Sequence, residues 1–465
     1  MNRYIEPNLL TRFDVFPKIF AAGKEAEVNI RNLGAKPMFQ SGQQYKVAVY
    51  GLNGGSYKHF PEACSYVEYV LTCNEEGGFT FKHTFPSEQQ YYLRIISMED
   101  ENLYQVPVYC VEGDLIGRYP FQGDTHLHTT FSDGQQIPEV VCAEYRRYGY
   151  DFLAITDHRK YYPSLIAMDF CSSIPTELCV CPGEEVHMID TDGKHNDVHI
   201  INFGGEYSVN ALADGAARDQ WGTDSKYRSL KGECPPTMTH EEYEAFIRER
   251  CAEMDLPEGI DVYPAAVCKW IFSEIRKANG LAIFPHPNWV ADAFNVPDKF
   301  TDFLFEQDWF DAYEVLGGAR YYEQNGFQTQ RYYDLRAQGK RVPIVGATDS
   351  HSCEKQNPGG FICSTIIFSP ENECKALIQS VKDCYSVAVD TISAEYRLVG
   401  ETRLVRYASF LLQYFFPLHN ELCWEEGRLM RQCATGTAEE KAEAKALLAA
   451  IHGRMERQRK KYFAF

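Results

Sequence analysis

Gly123-Asp124-Thr125-His126-Leu127-His128-Thr129-Thr130-Phe131-Ser132-Asp133-Gly134 follows a short apolar run, and the same arrangement recurs down the chain. Thr156-Asp157-His158 closes FLAI, Gly183-Glu184-Glu185 opens on CVCP, Val198-His199 precedes IINF, Pro285-His286-Pro287 closes LAIF, and Thr348-Asp349-Ser350-His351 closes PIVGA. Neutral imidazoles and carboxylates are the donors with which hydrolytic centres hold divalent metal and activate water near neutral pH. A lone histidine at a strand end is ordinarily a hydrogen-bonded core or surface residue. Only the ordered set carries weight.

Outward from these motifs, the candidate strands are 124–128, 152–156, 178–186, 198–203, 281–285, 312–316 and 342–347, with helical patterns such as PEVVCAEYRRYGY, AAVCKWIFSEIRKANG and QRYYDLRAQGK between several of them. Alternation of this kind predicts a parallel α/β barrel whose site lies where the strands run out. Residues 204–264 interrupt the rhythm with Gly, Asp, Trp221 and a charged helical stretch, and read as an insertion over the barrel mouth. Residues 1–118 carry short alternating runs (AEVNIRN, YKVAVYGL, FTFKHTF, YYLRII, QVPVYCV) separated by turn residues, which predicts a β-sandwich-like domain. The barrel is expected over 119–395. Residues 396–465 read as a C-terminal helical segment, with Thr437-Ala-Glu-Glu440 as a capping box. RYASFLLQYFFPLH, residues 406–419, is apolar enough to require a buried partner surface, on this chain or on a second subunit of a homo-oligomer.

The chain has 465 residues and a formal net charge of -19, which argues against coating nucleic acid through a basic surface. No run of about 18 apolar residues predicts a membrane span. The N-terminal stretch is broken by Glu6, Pro7, Asp14 and Pro17, unlike a signal peptide. Sixteen scattered cysteines, without Cys-x-x-Cys spacing, read as reduced thiols of a cytoplasmic protein.

In GDTHLHTTFSDG, AITDH, PGEEV, VHI, FPHPN and GATDSH the chain resembles the PHP family, the polymerase and histidinol phosphatase type of metal-dependent phosphoesterase, over roughly residues 121–389. The resemblance implies a distorted (β/α)7 barrel and two to three divalent ions, Mn, Zn or Fe. It implies a first metal position held by His126, His128, Glu185 and Asp349, a second by Glu185, His199 and His286, and a third by Asp133, His158 and His351. Glu185 is preferred to Glu184 because the family motif reads Gly-x-Glu.

Asp157 is expected to orient a neighbouring imidazole or take a proton. Arg320, just after the 312–316 strand, is the candidate phosphate clamp, with Lys226, Arg228 and Lys231 weaker ones. His187 and His195 fall outside the pattern and read as structural or substrate-facing. The expected activity is hydrolysis of a small organic phosphate or nucleotide-type monoester. The alternatives are a metal-dependent carboxylic ester, amide or carbamate hydrolase, and a non-catalytic metal-binding or interaction module.

Overall fold

The computed structural model describes residues 12–34, 38–55, 65–99, 103–187, 198–213, 228–290, 292–317, 322–353, 363–391 and 397–465. The chain divides into two compact units, one of Met1–Arg118 with Arg406–His419 and Gly453–Phe465, the other of Tyr119–Val405 with Asn420–His452. The segment 396–465, expected as one separate helical piece, is thus shared between them.

The first unit holds β1 (Phe13–Phe16), β2 (Ile19–Ala21), β3 (Glu25–Asn32), β4 (Gln44–Gly51), β5 (Tyr66–Thr72), β6 (Phe79–Thr84), β7 (Gln89–Ser97) and β8 (Leu103–Val111). These form a three-stranded sheet, β1-β3-β6, and a five-stranded sheet, β2-β8-β7-β4-β5. In β6, Phe79, Phe81 and His83 are buried and Thr80, Lys82 and Thr84 exposed, the two-residue period of a half-buried strand. Val28 and Phe81 of one sheet share a core cluster with Val47, Leu93 and Val108 of the other.

The second unit begins with β9 (Tyr119–Asp124), α1 (Pro138–Arg147), β10 (Phe152–Ala154), α2 (Tyr162–Ser172), β11 (Cys179–Cys181), β12 (Gly183–Val186) and β13 (Ile200–Phe203). It continues through α3 (His240–Ala252), α4 (Val262–Lys277), β14 (Leu281–Phe284), α5 (Asp298–Glu306), β15 (Ala312–Leu316), α6 (Tyr322–Ala337) and β16 (Ile344–Gly346). Then follow β17 (Cys363–Ser369), α7 (Cys374–Lys382), β18 (Ser386–Asp390) and β19 (Arg397–Val399). Local rules account for several helix starts. Pro138 sits in the first turn of α1, Thr239 and Glu242 form a capping box at α3, and Asp261 accepts the Tyr263 N–H at α4.

The strands make two mixed sheets, β11-β10-β9-β17-β18-β19 and β12-β13-β14-β15-β16, rather than the single parallel ladder expected of a regular barrel. Within these two sheets β9-β10-β11 and β14-β15-β16 pair in parallel, and the other neighbouring strands pair antiparallel. Pro182 alone separates β11 from β12, and the parallel register of β10 with β11 continues to His158 opposite Glu185, so one extended run passes from the first sheet into the second, where β12 pairs antiparallel with β13. The two sheets still meet through single bridges, His158 to Glu185 and Leu127 to Ser350. Phe152 and Ile367 of the six-stranded sheet share a core cluster with Ile201, Ile283 and Val345 of the five-stranded one, so the strand ends carrying the motif residues face a common space.

The C-terminal helices are α8 (Thr402–Tyr414), α9 (Phe416–Thr435), α10 (Ala438–Ile451) and α11 (Arg454–Tyr462). The capping box at Thr437 is present, with Glu440 as its acidic partner. The apolar segment 406–419 finds its partner surface in the same chain: Tyr407 stacks on Tyr109 of β8 with ring centroids 5.0 Å apart. In the second unit α9 is held by Glu426, whose carboxylate accepts from the buried Arg146 guanidinium at 2.8 Å while Asp151 accepts from it at 2.9 Å. Among the described residues no helix is long and apolar enough to cross a membrane.

Candidate metal centre

Eight of the nine motif residues lie in or beside a strand, and Asp133 lies in the turn between β9 and α1. His126 and His128 follow β9, His158 follows β10, Glu185 is in β12, His199 precedes β13, His286 follows β14, and Asp349 and His351 follow β16. Residues two apart on extended backbone share a face. His126 and His128 therefore both turn inward while Leu127 between them enters a hydrophobic core. The same alternation separates the two glutamates of β12.

Glu184 faces away from the histidines. It accepts from Ser208 Oγ at 2.7 Å, from the Val209 N–H at 2.5 Å and from Asn202 Nδ2 at 3.2 Å. Glu185, fully buried, lies among six imidazoles, with nitrogens of His126, His128, His158, His187, His199 and His286 at 3.5, 3.6, 2.5, 3.5, 2.8 and 3.4 Å from its oxygens. Asp349 Oδ1 is 3.2 Å from His126 Nε2 and 3.0 Å from His128 Nε2. Asp133 Oδ2 is 3.4 Å from His158 Nε2 and 3.3 Å from His351 Nε2, and Asp133 Oδ1 is 3.8 Å from His128 Nδ1. All nine residues expected as ligands are thus brought into one cluster, in which His128-Asp133-His158-His351, His126-His286-Asp349 and His126-His128-Glu185 each converge closely enough to hold an ion.

A hydrogen-bond network does not account for this packing. Both Glu185 carboxylate oxygens, His126 Nε2, His199 Nδ1 and His286 Nδ1 are buried without a hydrogen bond. Buried polar atoms normally find partners, and nitrogens and carboxylate oxygens converging without donor geometry are the donor set of a divalent ion. The residues present fit that group. The backbone is also bent here, with His286 at φ 24° and Asp349 at φ 48°, a left-handed conformation that non-glycine residues adopt at a cost and that concentrates at functional sites.

The electrostatics are those of a cation site. Burial opposes ionisation of Glu185 and Asp349, yet the surrounding imidazoles hold both carboxyls well below their usual range. Asp133 is likewise held low, against its burial, by His158 and His351. Burial disfavours charge on His158, but Glu185 and Asp133 raise its pKa to about 10. Burial, together with His158 and His351, pushes His128 down to about 3. The carboxylate field that draws protons to some of these rings is equally a field for a metal cation.

Asp157 is placed differently from expectation. Its oxygens accept from Thr129 N–H, Thr129 Oγ1, Ser132 N–H and Ser132 Oγ at 2.8, 2.7, 3.1 and 2.6 Å. It ties down the turn that carries Asp133. Arg320, Lys226 and His195 lie outside the described residues. Arg228 is engaged by the carbonyls of Ala211 and Pro235, at 3.1 and 3.2 Å, and Lys231 by Glu206 at 3.1 Å, so both brace the insertion.

Two residues were missed as parts of the centre. Glu314 in β15 is fully buried, and its Oε2 lies 3.0 Å from His126 Nδ1. A carboxylate inside the apolar run Ala312-Tyr-Glu-Val-Leu316 was the available signal. His187, set aside in sequence as outside the pattern, has its ring in the cluster.

No family model matches the chain. A stretch of 100 residues, 20% of this chain, is 37% identical to the DNA polymerase/3'-5' exonuclease PolX of Bacillus subtilis (strain 168), and the match spans 17% of that protein's length. A two-domain protein from Bacteroides vulgatus containing a predicted PHP-like metal-dependent phosphoesterase is 16% identical at a TM-score of 0.35, over 58% of this chain and 65% of that one. A proposed metal-dependent phosphoesterase from Bifidobacterium adolescentis shares 20% identity with this chain at a TM-score of 0.32, over 51% of this chain and 90% of that one. An amidohydrolase from Chromobacterium violaceum shares 16% at a TM-score of 0.32, over 58% of this chain and 99% of that one.

Proposed function

We propose that the chain is a metal-dependent hydrolase of small phosphate esters, with a phosphate monoester as substrate. The observation that carries this reading is Glu185: a fully buried carboxylate with both oxygens unsatisfied among six imidazoles is a donor set that a divalent cation would satisfy. In this reading His126, His128, Glu185 and Asp349 hold one ion, Glu185, His199 and His286 a second, and Asp133, His158 and His351 a third. Bound there, Mn, Zn or Fe supplies an acidified water and neutralises charge on the substrate's oxygens.

The chain's own residues do the rest. Glu185 sets the spacing of the cluster, because nitrogens from opposite sides converge on its two oxygens. Glu314 takes the Nδ1 side of His126 and leaves Nε2 to face the centre. Asp157 fixes the 129–132 turn, which holds Asp133 opposite His158 and His351. Asp133, with about half of its side chain exposed, marks the side from which substrate enters.

Phosphorus rather than carbonyl carbon is favoured because the local relative, PolX, carries an exonuclease activity in its name, which is phosphoester chemistry. The test is a substrate panel on the purified chain loaded in turn with Mn, Zn and Fe: a phosphate monoester, a phosphodiester and a carboxylic ester. Turnover of the monoester, lost in His126→Ala, is expected. Turnover of the carboxylic ester alone would replace this reading with that of an ester or amide hydrolase.

A further inference from the structure

We propose that His187 is a further metal ligand of this centre, holding through Nε2 an ion beside Glu185; the inference rests on the metal-centre reading above. Its Nε2 lies 3.5 Å from Glu185 Oε2 and 2.8 Å from His158 Nδ1, and the His158, Glu185 and His187 donor atoms lie within 4.8 Å of one another. Metal–ligand bonds of about 2.0–2.2 Å place neighbouring donor atoms roughly 3 Å apart, which is the spacing seen here.

The position follows from the chain. His187 stands two residues after Glu185 at the end of β12, so the alternation that turns Glu184 away brings His187 to the side of Glu185. Its ring is fixed from two directions. It stacks on His199 with centroids 3.9 Å apart and planes at 26°, and its backbone N–H donates to Asn210 Oδ1 at 3.3 Å. Asn210 Nδ2 in turn donates to the Glu185 carbonyl at 3.3 Å, so one amide side chain sets both residues.

The test uses the full-length chain and compares His187→Phe, which keeps an aromatic ring against His199, with His187→Asp, which restores a donor. Metal stoichiometry and affinity are read by elemental analysis and chelator competition, and thermal unfolding of the chelator-treated protein checks the fold. The expected result is that His187→Phe loses one ion or binds it at least about tenfold more weakly, that His187→Asp recovers it, and that unfolding is unchanged. Equal metal content and affinity in wild type and His187→Phe would overturn the proposal, as would equal loss in both variants, which would assign the ring a role in shape alone. Wild-type protein that binds no metal would instead overturn the metal centre itself.

Discussion

Glu314 Oε2 lies 3.0 Å from His126 Nδ1, both side chains fully buried, while His126 Nε2 faces Glu185 and Asp349. The carboxylate reaches the far side of the imidazole from β15 and fixes which nitrogen is available to an ion. Removing such a partner typically costs 10–100-fold in metal affinity. Glu314→Ala is therefore expected to weaken metal binding by about that factor, and Glu314→Gln, which keeps an acceptor, by less. Chelator competition on the purified variants measures it, and unchanged affinity in Glu314→Ala would remove the residue from the centre.

The neighbouring glutamates of β12 should separate cleanly. Glu184 is satisfied by Ser208, Val209 and Asn202, and these bonds hold the 207–213 segment to the strand. Glu184→Ala leaves buried donors without an acceptor and should lower stability by about 1–3 kcal/mol while metal stoichiometry persists. Glu185→Gln should do the reverse, losing metal with the fold intact. Denaturant melts paired with elemental analysis check both.

His83 gives the first unit a pH dependence of its own. Burial lowers its pKa to about 4, and Tyr69 Oη lies 2.8 Å from its Nδ1, where the neutral ring accepts. The unfolded chain takes up a proton near pH 6.5, before the folded ring does. The unfolded state therefore binds more protons between about pH 6.5 and 4, and stability falls as pH drops through that window. Urea melts should show this slope in wild type and a shallower one in His83→Gln. Parallel slopes would show that the ring titrates normally.

Much of the centre was legible because its logic is local: a short apolar run ends, and the next residues carry imidazole or carboxylate. All nine expected ligands come together on that basis. The capping box at Thr437 was legible for the same reason. Long-range features were not. One extended run passes at Pro182 from one sheet into the other, and a pattern of strands and helices does not show which way a strand pairs. Asp157 sits beside a ligand in sequence but spends its oxygens on Thr129 and Ser132, a contact made across a loop. Glu314 lies 188 residues from His126 and was masked by the apolar strand around it.

The measurement that bears most directly on the account is the metal content of the purified wild-type chain beside Glu185→Gln, by elemental analysis after growth with Mn, Zn and Fe. The account predicts two or more ions per chain in wild type and loss of most of them when Glu185 gives up its charge. A wild-type chain that binds no metal under any of these conditions, or a Glu185→Gln variant with undiminished content, would contradict it.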